Sequence, residues 1–149
     1  MDWKNITKFE PKEFPSQKEI DLTDPRLFRT LEDFRLDLNY SVYPSPEKGA
    51  LAREYGSTTS RHYAVGKLST AIDFFPDCDI LRALFTAVHY FGGVGVYFDT
   101  HFKRRKWVML HGDLRLNTKL WYRLDGKYHT INTDADYYTL LELINKHSN

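Results

Sequence analysis

Met109-Leu110-His111-Gly112-Asp113-Leu114-Arg115 changes character at every second residue. That is the period of a β-strand, whose side chains point alternately to opposite faces of a sheet. Leu110 and Leu114 share one face, and His111, Asp113 and Arg115 share the other. The leucine face belongs against a core. The opposite face then carries an imidazole, a carboxylate and a guanidinium in a row, where a sheet covered on one side only would be solvated. Such a row can build a site.

Working outward, Val94 to Phe98 and Lys106 to Arg115 read as strands joined across Lys103-Arg104-Arg105-Lys106, a short basic run of the kind found at solvated hairpin tips. Ala71 to Phe75 reads as a third strand, with Ile72 and Phe74 on one face and Asp73 on the other. Leu120 to Leu124 and Lys127 to Ile131 flank Asp125-Gly126, a strong signal for a two-residue type I′ hairpin turn. Three helices are expected around these strands. One starts at Asp24-Pro25 and buries Leu27, Leu31, Phe34 and Leu38. A second is capped by Asp77 or Asp79, buries Ile80, Leu81, Leu84, Phe85 and Val88, and ends at Gly92-Gly93. The last is capped by Thr133, with Tyr137, Leu140, Leu141 and Ile144 inward. Helices and strands in separate blocks imply an α+β class, a small antiparallel sheet flanked by helices.

The chain of 149 residues suits a single domain, read as 24–149. Residues 1–23 hold Pro11, Pro15 and many charges without periodicity, and read as an extended N-terminal arm able to dock on a partner. Aromatics at 15% supply core material that a disordered chain lacks. A net charge of +1 argues against nucleic acid or an anionic membrane as partner. Cys78 is the only cysteine, which excludes an internal disulfide and a thiolate zinc site. Met1 to Pro15 contains no apolar stretch of a signal peptide or anchor, so synthesis in a cytoplasm is expected.

Between Asn39 and Ser60 the chain is irregular, broken by Pro44, Pro46, Gly49 and Gly56, as segments that carry sites tend to be. It leads into Ser60-Arg61-His62-Tyr63-Ala64-Val65-Gly66 and then Ala71-Ile72-Asp73. A catalytic zinc site takes three protein nitrogen, oxygen or sulfur ligands and keeps a fourth position open. Two histidines and an aspartate satisfy that without cysteine.

In combination these stretches resemble the zinc D-Ala-D-Ala metallopeptidases, a family of cell-wall carboxypeptidases and endopeptidases that includes phage endolysins and shares its fold with the hedgehog signalling domain. The first family motif is met by Ser60, His62, Gly66, Ala71 and Asp73, and the second by Met109-Leu110-His111, Asp113 and Arg115. Gly93-Val94-Gly95-Val96-Tyr97 is similar to the strand that precedes the second motif, so the resemblance spans roughly residues 40–122. It implies a Zn2+ cofactor held by His62, Asp73 and His111. It implies Asp113 as the carboxylate that assists catalysis or orients a ligand, with Arg53 or Arg61 binding a substrate carbonyl or carboxylate and Arg115 beside them. The implied substrate is the peptidoglycan stem peptide. The implied setting is a phage or prophage product, cytoplasmic in its host or virion-associated, with residues 1–23 available to a virion partner.

The sequence departs from the family in two places. Lys67 to Thr70 read as a four-residue insertion between His62 and Asp73. Val108 and Met109 stand where branches of the family carry a catalytic Glu or His. Asp113 is therefore the expected general base, since it shares a face with His111.

Overall fold

The computed structural model describes residues 3–147. Among them it shows a mixed α+β architecture: four α-helices, a six-stranded sheet and a separate two-stranded ribbon. The sheet runs in the order β1 (Val42–Pro44), β2 (Ala71–Pro76), β6 (Met109–Asp113), β3 (Gly93–Tyr97), β7 (Lys119–Leu124), β8 (Lys127–Thr130). The basic tip forms its own ribbon from β4 (His101–Phe102) and β5 (Arg105–Lys106).

The sheet is mixed, which corrects the expectation of an antiparallel one: β3 and β7 pair in parallel. The reason lies in the link 114–118. It leaves β6 on one side of β3, crosses the end of β3 at Gly92, and starts β7 on the other side, where the Lys119 amide donates to the Gly92 carbonyl. A Cβ on Gly92 would sit 1.7 Å from the Arg115 carbonyl oxygen, so only glycine admits this crossing.

One face of the sheet, carrying Ile72, Phe74, Val94, Val96 and Leu110, packs against α2 (Pro25–Leu38) and α3 (Ile80–Tyr90). Asp24 caps α2 as its position before Pro25 predicts, accepting from the Arg26 amide. Asp79, of the two candidates, caps α3 by accepting from the Arg82 amide. The buried stripe of α3 is Ile80, Ala83, Leu84 and Ala87, while Phe85 is exposed. Two small alanines stand at the centre of the stripe, and Phe85 falls outside it. In α4 (Asp134–His147) Leu140 and Ile144 are buried, and Thr133 and Asp136 cap each other. The Asp125-Gly126 turn has both residues at positive φ, 50° and 76°, as type I′ requires.

Residues 3–23 are not an extended arm. They form two 3₁₀ turns (Trp3–Asn5 and Pro11–Glu13) and the short helix α1 (Gln17–Asp21). Ile6, Phe9, Phe14 and Ile20 are buried in the main core, and Phe14 meets Phe28 of α2 edge-on with centroids 5.1 Å apart. Glu32 of α2 is buried and accepts from the Thr7 and Lys8 amides and the Thr7 hydroxyl. No helix of the described residues is long and apolar enough to cross a membrane.

Candidate metal centre

The opposite face of the sheet carries the site. Antiparallel pairing of β2 with β6 sets Asp73 directly across from His111, and Gly95 of β3 lies on the other side of His111. His62 comes from the irregular segment before β2. That segment is held in place because the Arg53 amide donates to the His62 carbonyl and the Ala64 amide to the Arg53 carbonyl. The residues read as an insertion return the chain to the sheet: Ser69 is fully buried and its hydroxyl reaches the Leu51 and Arg61 carbonyls.

Three candidate ligand atoms converge here. His62 Nε2 lies 3.1 Å from His111 Nδ1 and 3.4 Å from Asp73 Oδ1, and His111 Nδ1 lies 2.9 Å from Asp73 Oδ1. A tetrahedral ion with ligands at ~2 Å places them ~3.3 Å apart, so the spacing fits with small adjustments. The remaining ring nitrogens point elsewhere. His62 Nδ1 is 3.4 Å from the Leu51 carbonyl oxygen, and His111 Nε2 is 3.2 Å from Asp113 Oδ2. Each of those two partners accepts a hydrogen bond, so once His111 gives up its second proton the lone pairs of His62 Nε2 and His111 Nδ1 face each other and the Asp73 carboxylate. Three such atoms around one point form a group that could hold a metal ion. Among the described residues no other His, Cys, Asp or Glu belongs to such a group. Asp79 caps α3, Asp77 sits 3.4 Å from the Tyr43 hydroxyl, and the half-buried Cys78 donates to the Asp79 carbonyl.

The electrostatics follow from this packing. Burial works to lower the His111 pKa, but hydrogen bonds and charge from Asp113 and Asp73 together raise it to about 9. Burial raises Asp73, and the charge of His62 and the hydrogen bonds of both histidines outweigh it, so its carboxyl sits well below the usual range. In the metal-free protein His111 holds its proton more tightly folded than unfolded. That contribution to stability is complete below pH 6.5 and is lost as pH rises through about 9. Thermal unfolding in chelator is accordingly expected to move to lower temperature across that interval. The stabilisation by added divalent metal should grow over the same interval, because the ion displaces this proton. A metal-induced shift that shrank with rising pH would remove His111 from the ligand set.

Of the two roles expected for Asp113, assisting catalysis or orienting a ligand, its position favours the second. Its side chain has no exposure. Arg115 grips both of its oxygens, with Nε at 2.7 and 3.0 Å, and the Arg115 amide adds a further bond at 3.0 Å. Asp113 therefore stands behind His111 and does not face the cavity, where a general base must be. At Asp113 the face expected to be solvated is covered: Trp121 packs beside His111 with centroids 5.1 Å apart, and Arg115 folds back beneath it. Gly93 makes room, since a Cβ there would lie 2.4 Å from Arg115 Nε and 2.5 Å from Asp113 Oδ2. Arg115, expected to bind substrate, borders the cavity but spends its guanidinium on Asp113.

A cavity of about 490 Å³ opens over the three ligands. Arg53 and Arg61, the two candidates for substrate binding, both line it. Arg53 Nη2 donates to the Ser60 hydroxyl at 3.0 Å, while its buried Nε has no hydrogen-bond partner. The sequence reading missed Tyr97, Lys119, Trp121 and Arg123, which also line the cavity. Lys119, Trp121 and Arg123 alternate along β7, a period-two signal that could have placed them on one face. Burial and the nearby Asp73 carboxylate keep the Tyr97 phenol protonated.

No family model, no curated protein and no solved structure matches this chain.

Proposed function

We propose that the chain is a zinc-dependent hydrolase of amide bonds in the stem peptides of bacterial peptidoglycan, built on a hedgehog or DD-peptidase type of fold and encoded by a phage or prophage. One observation carries the metal: two imidazole nitrogens and a carboxylate oxygen at tetrahedral spacing, each imidazole anchored through its other nitrogen. Two nitrogens and one oxygen are a donor set that suits Zn2+. The stem peptide as substrate rests on the motif resemblance, and the cationic cavity agrees with it. Zinc in such a site polarises a carbonyl and makes water nucleophilic near neutral pH.

The chain's own residues have separable tasks in this reading. His62, Asp73 and His111 hold the ion. Arg53, with an unpartnered buried Nε, and Arg61 bind a carbonyl or carboxylate of the substrate. Tyr97, kept neutral, offers an O–H as a donor rather than a base.

One observation favours a second reading, a zinc-binding virion or structural protein without turnover. The titratable side chains lining the cavity, other than the three ligands, are Arg, Lys and Tyr, so a carboxylate or imidazole free to take a proton is missing from that lining. The test is hydrolysis of purified cell-wall sacculi, read as new amino termini by mass spectrometry. The zinc-loaded protein is expected to release stem fragments, and His62→Ala to lose that activity by more than ~100-fold. Zinc-loaded wild type that releases nothing from walls of several peptide chemistries would leave the non-catalytic reading standing.

A further inference from the structure

We infer that Glu19, in the N-terminal segment, is a positioning residue of the metal centre, acting through the loop 49–52. This rests on the metal-centre reading above.

Glu19 lies in α1, far in sequence from every ligand, and is only 6% exposed. Its carboxylate accepts three backbone amides of one short loop: Gly49 at 3.0 Å on Oε1, and Leu51 at 3.2 Å and Ala52 at 3.1 Å on Oε2. Three successive contacts from one rigid acceptor fix the direction in which the loop's carbonyls point. Two of those carbonyls reach the metal ligands. The Leu51 carbonyl faces His62 Nδ1 and so selects the tautomer that leaves Nε2 free. The Ala50 carbonyl accepts the amide of Asp73 at 2.9 Å. The same segment supports the site from a second direction. The Ser69 amide donates to the Leu22 carbonyl, the Asp24 amide to the Ser69 carbonyl, and the Ser69 hydroxyl to the Leu51 carbonyl at 2.6 Å. Residues 19–24 thus hold both loop 49–52 and Ser69.

Charge alone does not explain this arrangement. A carboxylate is needed because both of its oxygens accept. A glutamine of the same shape would turn an N–H₂ towards either the Gly49 amide or the Leu51 and Ala52 amides, donor against donor, and the loop must move. Glu32 provides an internal control. It is equally buried, also reaches backbone amides of the N-terminal segment, and touches none of the residues around the ligands.

The experiment compares Glu19→Gln with Glu32→Gln in the full chain. Zinc affinity is measured by competition with a chromophoric chelator. The His62 imidazole is followed by ¹⁵N NMR in the metal-free protein. Glu19→Gln is expected to weaken zinc binding ~10- to 100-fold, the usual loss for an outer partner of a ligand. It should also abolish the single Nδ1–H tautomer of His62. Glu32→Gln should lower thermal stability but leave both readouts at wild-type values. If Glu19→Gln does not fold, Glu19→Asp, which keeps the charge and shortens its reach, is read in the same way. Equal effects of the two variants on zinc and on His62, or no effect of Glu19→Gln on either, would overturn the inference. Failure of the metal reading itself shows separately, as a wild type that binds no zinc; the His62 tautomer still tests Glu19 in that case.

Discussion

His111→Ala is expected to purify without zinc, whereas the wild type should carry about one ion per chain. His111 is central to the site. Its Nδ1 is within 3.1 Å of both other ligand atoms, and its ring is held from behind by Asp113. Its removal leaves His62 and Asp73, two ligands where a closed set of three is needed. The loss of affinity should exceed the ~100-fold typical when only an outer partner is removed. A consequence follows for stability. An ion that binds only the folded chain stabilises it by ~4 kcal/mol when present at a thousand times its dissociation constant. The thermal midpoint of the wild type should therefore rise on zinc addition, and that of His111→Ala should not. Elemental analysis and a zinc titration of thermal unfolding check both statements. A variant that still holds one zinc per chain would show that the ligands lie elsewhere.

Two members of the candidate ligand group sit in local patterns legible in the sequence, while His62, in the irregular segment, was marked only by the family resemblance. His111 alternates with Leu110 on β6, Asp73 with Ile72 and Phe74 on β2, and β2 and β6 pair so that these patterns meet. The helix α2 was legible because Asp24-Pro25 is a local start signal, and the β7–β8 turn because Asp125-Gly126 demands positive φ. Other features leave no local trace. Ile6, Phe9, Phe14 and Ile20 recur at irregular intervals, so no period marks them, and only tertiary packing decides that they are buried. The parallel pairing of β3 with β7 depends on a crossing at Gly92 that no strand pattern encodes. The Leu51 carbonyl that orients His62 is a backbone group, and every residue type supplies one. Alternation placed Asp113 on the same face as His111 but could not say whether that face was open. Trp121 and Arg115 close its Asp113 end, and Asp113 is sealed behind His111.

That enclosure leads to the second large effect. Asp113→Asn is expected to weaken zinc binding ~10- to 100-fold and to lower stability by about 2–3 kcal/mol. The carboxylate accepts from Arg115 on both oxygens and from His111 Nε2 on one. Asparagine has a single acceptor oxygen, so its N–H₂ must oppose Arg115 in either orientation, and His111 as well when it takes the Oδ2 place. In both orientations a cation with only 20% of its side chain exposed loses its counter-charge. Where the N–H₂ also opposes His111, the tautomer that presents Nδ1 to the metal is no longer favoured. The stability figure is taken below the range for a fully buried pair because water still reaches Arg115. A general base would behave differently: zinc would be retained, and the rate at saturating zinc would fall ~10²- to 10⁴-fold. Measuring zinc affinity and zinc-saturated hydrolysis on the same preparation separates the two. Weakened zinc binding with most of the rate restored at high zinc identifies Asp113 as the group that orients His111. Unchanged affinity with a lost rate would return it to the role of base, and would require its side chain to reach the cavity from which the present packing excludes it.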